Sequence, residues 1–408
     1  MQRLPPGAQP FANKAAVMTA DKPVPALVRL AFRPFFLLGA LFAAVAAPLW
    51  ILALFGHLTG WQPTGGWLAW HRHEMLFGFG AAIIAGFLLT AVQTWTSVPA
   101  VQGKALAALV VLWLAARLAW LAGAPALLLV PLDLAFFPVV AILLMRSLWQ
   151  VRQVRNYPLV VVLALLTVAN VMSLSSLWTQ DHALSRQGAL GALWLVAALI
   201  SIIGGRVIPF FTQRGLNLPA QVPALPWLDN LLMIGSVLIA LLIMAGQSLV
   251  PNHWYGLLFA ALGAAHLLRL ARWYHSGIWR VPLLWSLHIA YAWIVVAVYA
   301  MAFWHAGWLV GFSQAVHLLA IGGMSGMILA MVARVSLGHT GRPLSVPAGI
   351  PLALVLLNLA VPARVWLTAA LPQTGFWLAA ACWSTAFAIF LWQYAPMLSR
   401  PRPDGKPG

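Results

Sequence analysis

The sequence predicts an all-α polytopic membrane protein with twelve transmembrane helices and both termini in the cytoplasm. Hydrophobic residues make up 63% of the 408 residues and charged residues 7%, whereas an ordinary soluble domain has roughly 25% charged residues. Twelve apolar segments are long enough to cross a bilayer, which takes about 20 residues per helix. Lysine and arginine gather on alternate connections between these segments, as expected for a multi-pass protein.

The twelve apolar segments follow one another with short connections and form a membrane domain over residues 29–398. Residues 1–28 and the tail at 399–408 are predicted to be disordered, because both contain several prolines with scattered basic residues. The predicted spans lie near residues 30–55, 68–95, 104–122, 126–148, 157–178, 188–211, 227–246, 253–273, 282–305, 312–334, 348–370 and 375–397.

The basic residues set the orientation of the bundle. With a cytoplasmic N-terminus, nineteen lysines and arginines lie on the cytoplasmic side, and four lie on the other: Arg72, Arg117, Arg186 and Arg364. This asymmetry explains the net charge of +17 without a nucleic acid partner, so the lipid bilayer is the expected partner. The single cysteine, Cys382, excludes a disulfide framework and a thiolate metal cluster.

Repeated landmarks predict three units of four helices each, near residues 34–157, 158–281 and 282–402. The prolines that begin spans one, five and nine are 124 residues apart: Pro34, Pro158 and Pro282. Val-Pro-Ala recurs with the same spacing, starting at residues 98, 222 and 346. The alternative is coincidence, because proline favours the first turn of any helix.

The stretch WHRHEMLFGF at the start of span two contains Glu74, the only glutamate of the chain. His71 shares a helix face with Glu74 and Met75, whereas His73 points elsewhere. Two histidines at i and i+2 cannot bind one ion from a regular helix. Either the first turn is unwound, or the two lie in different environments, one as ligand and one in support. An ionisable group in a span suggests a functional site; the alternative is an interfacial pair of Glu74 with Arg72.

Other histidines match in depth along the spans. His317, about a turn from the outer end of span ten, lies at the level of His71 and His73, and we predict that the three converge on a metal or haem iron. Glu74 and Met75 are expected to support these ligands. His266 and His288 share a level in the inner half and are predicted to be neighbours and further candidate metal ligands.

Arginines near proline or glycine mark the cytoplasmic helix ends. Arg33, Arg206 and Arg334 lie at this level, and His339 and Arg342 flank the glycine-bracketed turn GHTG. Guanidinium groups bind carboxylates bidentately, so this face is a candidate site for an anion or for haem propionates. Anchoring of the arginines at the membrane edge explains the same positions equally well.

Long segments of the chain resemble the NnrS family. They are FRPFF, WHRHEMLFGF with AAIIAGFLLTA, RNYP, GGRVIPFFT and HLLAIGGMSGMILAMVARVSLGHTGRPL. The resemblance implies a multi-pass protein of the bacterial inner membrane that contains haem and copper and is associated with nitric oxide metabolism and resistance to nitrosative stress. The motif histidines at this sequence's positions are His71, His73, His317 and His339. His288 lies in a family-like segment, and His266 has no motif match.

Three function classes remain open from the sequence. Imidazole ligands suit haem iron and copper, which favours redox or gas chemistry with nitric oxide or a redox partner. Twelve spans with internal repeats also describe many transporters. A membrane sensor or assembly factor that binds haem without turnover is the third class. A visible haem absorption band would distinguish the first class from a transporter.

Overall fold

The structure, a computed structural model, describes residues 24–308 and 310–406. These residues contain helices and no strand, and twelve of the helices are long and apolar enough to cross a membrane, which confirms the predicted fold class. Most of the predicted disordered lead-in at residues 1–28 lies outside the described residues. Its last residues, Ala26–Val28, form one 3-10 turn before span one.

The predicted spans agree with the observed helices to within a few residues, with two main differences. Span six starts earlier than predicted, and span ten continues past residue 334 to His339. The helices are Phe32–Leu54, Trp67–Thr96, Gly103–Leu121, Ala126–Gln150, Val154–Thr179, His182–Gly215, Pro226–Met244, His253–Trp273, Pro282–His305, Phe312–His339, Gly349–Ala370 and Pro372–Ser399.

Local sequence explains where several helices begin. Pro226, Pro282 and Pro372 each occupy the first turn of a span, where the missing N–H removes no hydrogen bond. Asp181 caps span six by accepting a hydrogen bond from the Leu184 N–H at 2.8 Å. Helix starts in this chain are therefore determined by short-range chemistry.

Spans two, six and ten form the centre of the bundle. In the most apolar 18-residue stretch of each of these spans, 72%, 83% and 83% of the residues are buried, whereas the highest value for the other spans is 67%. Each central span is the second helix of one predicted four-helix unit. The repeat itself, with the superposition of the three units, stays a prediction.

Spans two and ten each contain a segment of wider π-helix directly after a motif histidine. The segments are Glu74–Gly80 and Leu318–Ser325. Such segments change the direction of side chains along a helix and are frequent at functional sites. Span three supports the first one, because Trp113 Nε1 and Arg117 Nη1 donate hydrogen bonds to its carbonyl oxygens at 3.0 and 2.9 Å.

Small residues allow the central spans to approach their neighbours closely. A Cβ atom on Gly188 of span six would lie 2.5 Å from the carbonyl oxygen of Ala169 in span five. A Cβ atom on Gly322 of span ten would lie 2.5 Å from the indole of Trp293 in span nine. Glycine at these positions is therefore required by helix packing.

Candidate functional site

A cavity of about 390 Å³ lies between spans one, two, six, ten and twelve, with one residue from span eleven. It lies at the end of the bundle opposite the described chain ends, and we call it the outer cavity. Its walls are mostly apolar side chains. Its polar lining residues are two histidines, three arginines and two serines: His71, His317, Arg72, Arg186, Arg364, Ser313 and Ser325.

The imidazole of His317 is fixed in one tautomer. Its Nδ1 lies 2.7 Å from the carbonyl oxygen of Ser313, one turn earlier in span ten. A carbonyl oxygen only accepts, so Nδ1 carries the proton and Nε2 keeps its lone pair in the neutral ring. This arrangement, in which one ring nitrogen donates to the backbone, is common for histidines that bind a metal through the other nitrogen.

His71 contributes the second imidazole of the outer cavity. Its ring stacks on the indole of Trp50 in span one, with centroids 4.6 Å apart and planes inclined by 7°. Its Nδ1 is buried without a hydrogen-bond partner among the described residues. A buried polar atom without a partner costs free energy, so the local chemistry favours a ligand that this nitrogen can contact.

His73 does not join these two histidines, so the predicted convergence is wrong for this residue. Its Nδ1 lies 3.0 Å from Oε1 of Glu74, and its Nε2 lies 2.9 Å from Oδ1 of Asn170 and 3.3 Å from Oδ1 of Asp133. The hypothesis that His71 and His73 lie in different environments is confirmed. Since both ring nitrogens of His73 face oxygen acceptors, the geometry favours an imidazolium.

Arg117 completes a buried ion network with His73, Glu74, Asp133 and Asn170. Its Nε lies 2.8 Å from Oε2 of Glu74, and its Nη2 pairs with Oδ2 of Asp133. Glu74 therefore pairs with Arg117, and the alternative pairing with Arg72 is wrong. His73, Glu74 and Asp133 also offer ligand atoms within 4.8 Å of one another. Because the guanidinium and imidazolium balance both carboxylates, the network does not require a metal ion.

The chain was compared with models of known protein families. The family model described as NnrS protein matches residues 26–402, nearly the whole chain. The chain belongs to the NnrS family. Among proteins of curated function, none matches the sequence. Both central helices that carry the outer-cavity histidines lie inside the matched range.

The inner histidines of this NnrS family protein are bonded to protein groups. The Nδ1 of His266 lies 2.8 Å from the hydroxyl of Tyr291, whereas the Nδ1 of His288 donates to the carbonyl oxygen of Leu284 at 2.9 Å. Both imidazoles are buried between spans eight and nine. Each contacts one member of the edge-to-face Trp273–Tyr291 pair. Metal binding by His266 and His288 stays a prediction.

His339 is the last residue of span ten, so the predicted glycine-bracketed turn begins later than expected. Its ring packs on Phe32, with centroids 5.5 Å apart. Its carbonyl oxygen accepts a hydrogen bond from Nη1 of Arg402 at 3.2 Å. Arg402 belongs to the tail that the sequence predicts to be disordered, and here it lies against the inner end of span ten.

The inner arginines contact separate protein groups. Arg33 Nη1 donates to the carbonyl oxygens of Leu398 and Arg400 at 2.8 and 2.7 Å, at the end of span twelve. Arg206 Nη1 donates to Oδ1 of Asn156 at 2.6 Å, in the first turn of span five. The guanidinium of Arg334 lies 3.8 Å from the ring centroid of Phe211.

Arg342 makes a long contact of 3.5 Å with the carbonyl oxygen of Thr340. The contacts of Arg33, Arg206 and Arg334 are likewise with different helices and loops. The structure therefore does not bring the three arginines together around one shared group, and propionate binding by this set stays a prediction.

Sequence reasoning missed the arginines of the outer cavity. Arg72, Arg186 and Arg364 are three of the four arginines assigned to the side opposite the cytoplasm, and the fourth, Arg117, lies in the buried ion network. The signal was present in the charge distribution. The positive-inside rule does not explain arginines on the side that is poor in basic residues. Their presence there points to a separate role.

Proposed function

We propose that this membrane protein binds haem in the outer cavity and that His71 and His317 supply the iron ligands. We further propose that it acts in nitric oxide metabolism and resistance to nitrosative stress in the bacterial inner membrane. The proposal rests on one observation: two imidazoles that are suited to bind iron line the same cavity. His317 keeps Nε2 for a ligand, and His71 has a buried nitrogen without a partner among the residues that the structure describes.

The remaining walls suit the body of a macrocycle. A volume of about 390 Å³ lies within the usual range for small-molecule sites, about 300–1,000 Å³. Phe79, Leu193 and Trp383 are among the apolar side chains that line the cavity and exclude water. When bound, haem iron supplies a centre that binds diatomic gases and exchanges electrons.

Copper is the second proposed cofactor, and the same cavity contains groups that suit it. The thioethers of Met75 and Met324 line the cavity together with the two imidazoles, and soft sulfur ligands favour Cu(I). The buried ion network is a weaker candidate, since Arg117 already pairs with both carboxylates. Iron and copper analysis of the purified protein distinguishes the two occupants.

Membership of the NnrS family supports the role in nitric oxide metabolism. Nitric oxide is small and uncharged, so it partitions into apolar phases, and the apolar walls of the outer cavity offer it no electrostatic barrier. A transporter is the alternative function, because a central cavity between spans is also typical of transporters. A transporter would have no haem absorption band.

The test compares wild-type protein with His71→Ala, His317→Ala and His305→Ala variants, purified in detergent. His305 is the matched control, since its Nε2 contacts Ser248 Oγ at 2.8 Å and its Nδ1 accepts from the Asn252 N–H at 3.2 Å. We expect a haem band in the wild type that nitric oxide shifts, its loss in the first two variants and its retention in the control.

Full haem content in both outer-cavity variants would overturn the ligand assignment. A wild-type protein without a haem band, despite haem supply during expression, would favour the transporter.

A further inference from the structure

We infer that Arg72, Arg186 and Arg364 form an anion site in the outer cavity, which binds the carboxylate groups of an otherwise apolar ligand. The inference rests on the proposed function, because it assigns the orientation of the haem, with both propionates toward these arginines. All three residues lie near the outer ends of their spans and line the same cavity as His71 and His317.

Carboxylates are scarce in the chain. Six aspartates and glutamates accompany twenty-three lysines and arginines. Four of the six are ion-paired with Arg117, Arg269 or Arg402: Glu74, Asp133, Asp229 and Asp404. Asp181 caps span six, and Asp21 lies outside the described residues. Over residues 24–308 and 310–406, no carboxylate forms an ion pair with the three cavity arginines.

Aromatic rings hold two of the three arginine side chains. The guanidinium of Arg364 lies over the ring of Phe376 at 4.7 Å, and that of Arg186 lies over the ring of Phe312 at 5.1 Å. Aromatic faces fix the plane of a guanidinium without using its N–H groups. Within residues 24–308 and 310–406, the one side-chain hydrogen bond of this set, from Arg364 Nη2 to Ser313 Oγ, is long at 3.4 Å.

The electrostatics of the outer cavity favour a bound anion. Three like charges around one partly enclosed cavity repel one another more strongly than they would in water, because the effective dielectric constant is lower. An anion relieves this repulsion, and a carboxylate matches the two parallel N–H groups of a guanidinium. The inner arginines differ, because Arg33 and Arg206 already donate to protein oxygens.

The ligand's chemical class follows from the rest of the cavity. Beyond the arginines the walls are mostly apolar and aromatic, so the favoured ligand has an apolar body and an anionic edge. A porphyrin with two propionates is such a ligand. A free oxyanion that shares the cavity with the porphyrin would use the same guanidinium groups, so the experiment must distinguish these two sources of anion.

The experiment measures binding of metal-free protoporphyrin IX and of its dimethyl ester by fluorescence titration of the full chain in lipid nanodiscs, with empty nanodiscs as reference. Without iron, the histidines make no metal bond, so the contribution of the arginines is isolated. We expect the wild type to bind the free acid about tenfold more tightly than the ester, since charge-assisted hydrogen bonds are lost on esterification.

The variants are Arg72→Gln combined with Arg364→Gln, the same pair changed to Lys, and, as the control, Arg280→Gln at an exposed position between spans eight and nine. We expect the glutamine pair to lose the preference for the free acid, the lysine pair to retain most of it, and the control to behave as wild type. Equal binding of acid and ester by the wild type, or a preference that survives in the folded glutamine pair, would overturn the anion site.

Inorganic nitrite, added as a competitor, identifies the source of the anion. If nitrite weakens the binding of the free acid in the wild type but not in the glutamine pair, the site also takes free oxyanions. If it has no effect, the site takes only the ligand's own carboxylates. Failure of the haem proposal is distinguishable, because loss of histidine ligation would appear in the iron-containing test and would leave this titration unchanged.

Discussion

Arg117 Nε of span three lies 2.8 Å from Oε2 of Glu74 in span two, and both side chains are almost completely buried. The same guanidinium pairs with Asp133 and donates to the carbonyl oxygen of Phe77. It therefore ties the only glutamate of the chain and the carbonyl oxygen of Phe77, both in the π-helical segment that follows His73, to span three. An arginine in this position serves the internal structure of the bundle and does not anchor it to lipid headgroups.

Replacing Arg117 by Met should strongly destabilise the protein. The substitution leaves Glu74 and Asp133 buried with one remaining positive partner, and removal of one member of a buried ion pair costs about 3–5 kcal/mol. Thermal unfolding in detergent measures the effect. Arg280→Met is the control, because Arg280 is exposed between spans eight and nine. Equal unfolding temperatures of the two variants would contradict the ion network.

His73→Ala and His71→Ala should have different consequences, although the residues are two positions apart. Loss of the His73 imidazole removes contacts with Glu74, Asn170 and Asp133, so we expect a lower unfolding temperature and unchanged haem per folded chain. His71→Ala should lower haem content with a smaller effect on unfolding. If both variants lose haem to the same extent, His73 acts as a ligand after all.

The packing of span six against span five predicts the effect of one added methyl group. Gly188→Ala places a Cβ atom 2.5 Å from the carbonyl oxygen of Ala169 and from the amide nitrogen of Ser173, so the helices must separate. Overpacking of this kind costs about 1–3 kcal/mol or more.

Gly338→Ala is the matched control for this substitution, because Gly338 is helical and a Cβ atom there meets no atom within 4 Å. It should be neutral or stabilise by up to about 1 kcal/mol, the difference in helix propensity. Thermal unfolding of both variants measures the contrast. A Gly188→Ala variant as stable as the wild type would show that spans five and six pack less closely.

The twelve spans could be predicted because length and hydropathy are local properties of the sequence. The contacts that a side chain makes with other spans could not be predicted. Asp133 and Asn170 lie in spans four and five, and their contacts with His73 depend on how these helices pack around span two. Helix periodicity did separate the faces of His71 and His73, because that property belongs to one helix. It could not identify what each face contacts.

The end of span ten shows a second limit. Glycines on both sides of His339 predicted a turn, but the helix continues through Gly338 and ends at His339. Tertiary contacts, here with Phe32 and Arg402, stabilise a last turn that propensity alone disfavours. The π-helical segments were also beyond prediction, since their extra residue has no distinct sequence signature.

The stacking of His71 on Trp50 gives the last prediction, which concerns how tightly the outer cavity binds haem. Replacing Trp50 by Leu removes the flat surface that fixes the imidazole plane. Aromatic pairs contribute about 0.5–1.5 kcal/mol, and 1.4 kcal/mol corresponds to about tenfold in affinity. We therefore expect haem affinity to fall by about two- to tenfold, whereas Trp50→Phe should retain most of it.

Haem titration of the apo-protein, followed by the absorption band, measures these affinities. Trp149→Leu is the control, because Trp149 is 66% exposed and does not line the outer cavity. The contribution of Trp50 is to hold the ring of His71 before the ligand arrives, so that less conformational entropy is lost on binding. If Trp50→Leu binds haem as tightly as the wild type, the ring is held by other contacts, and the stacked geometry has no part in ligand binding.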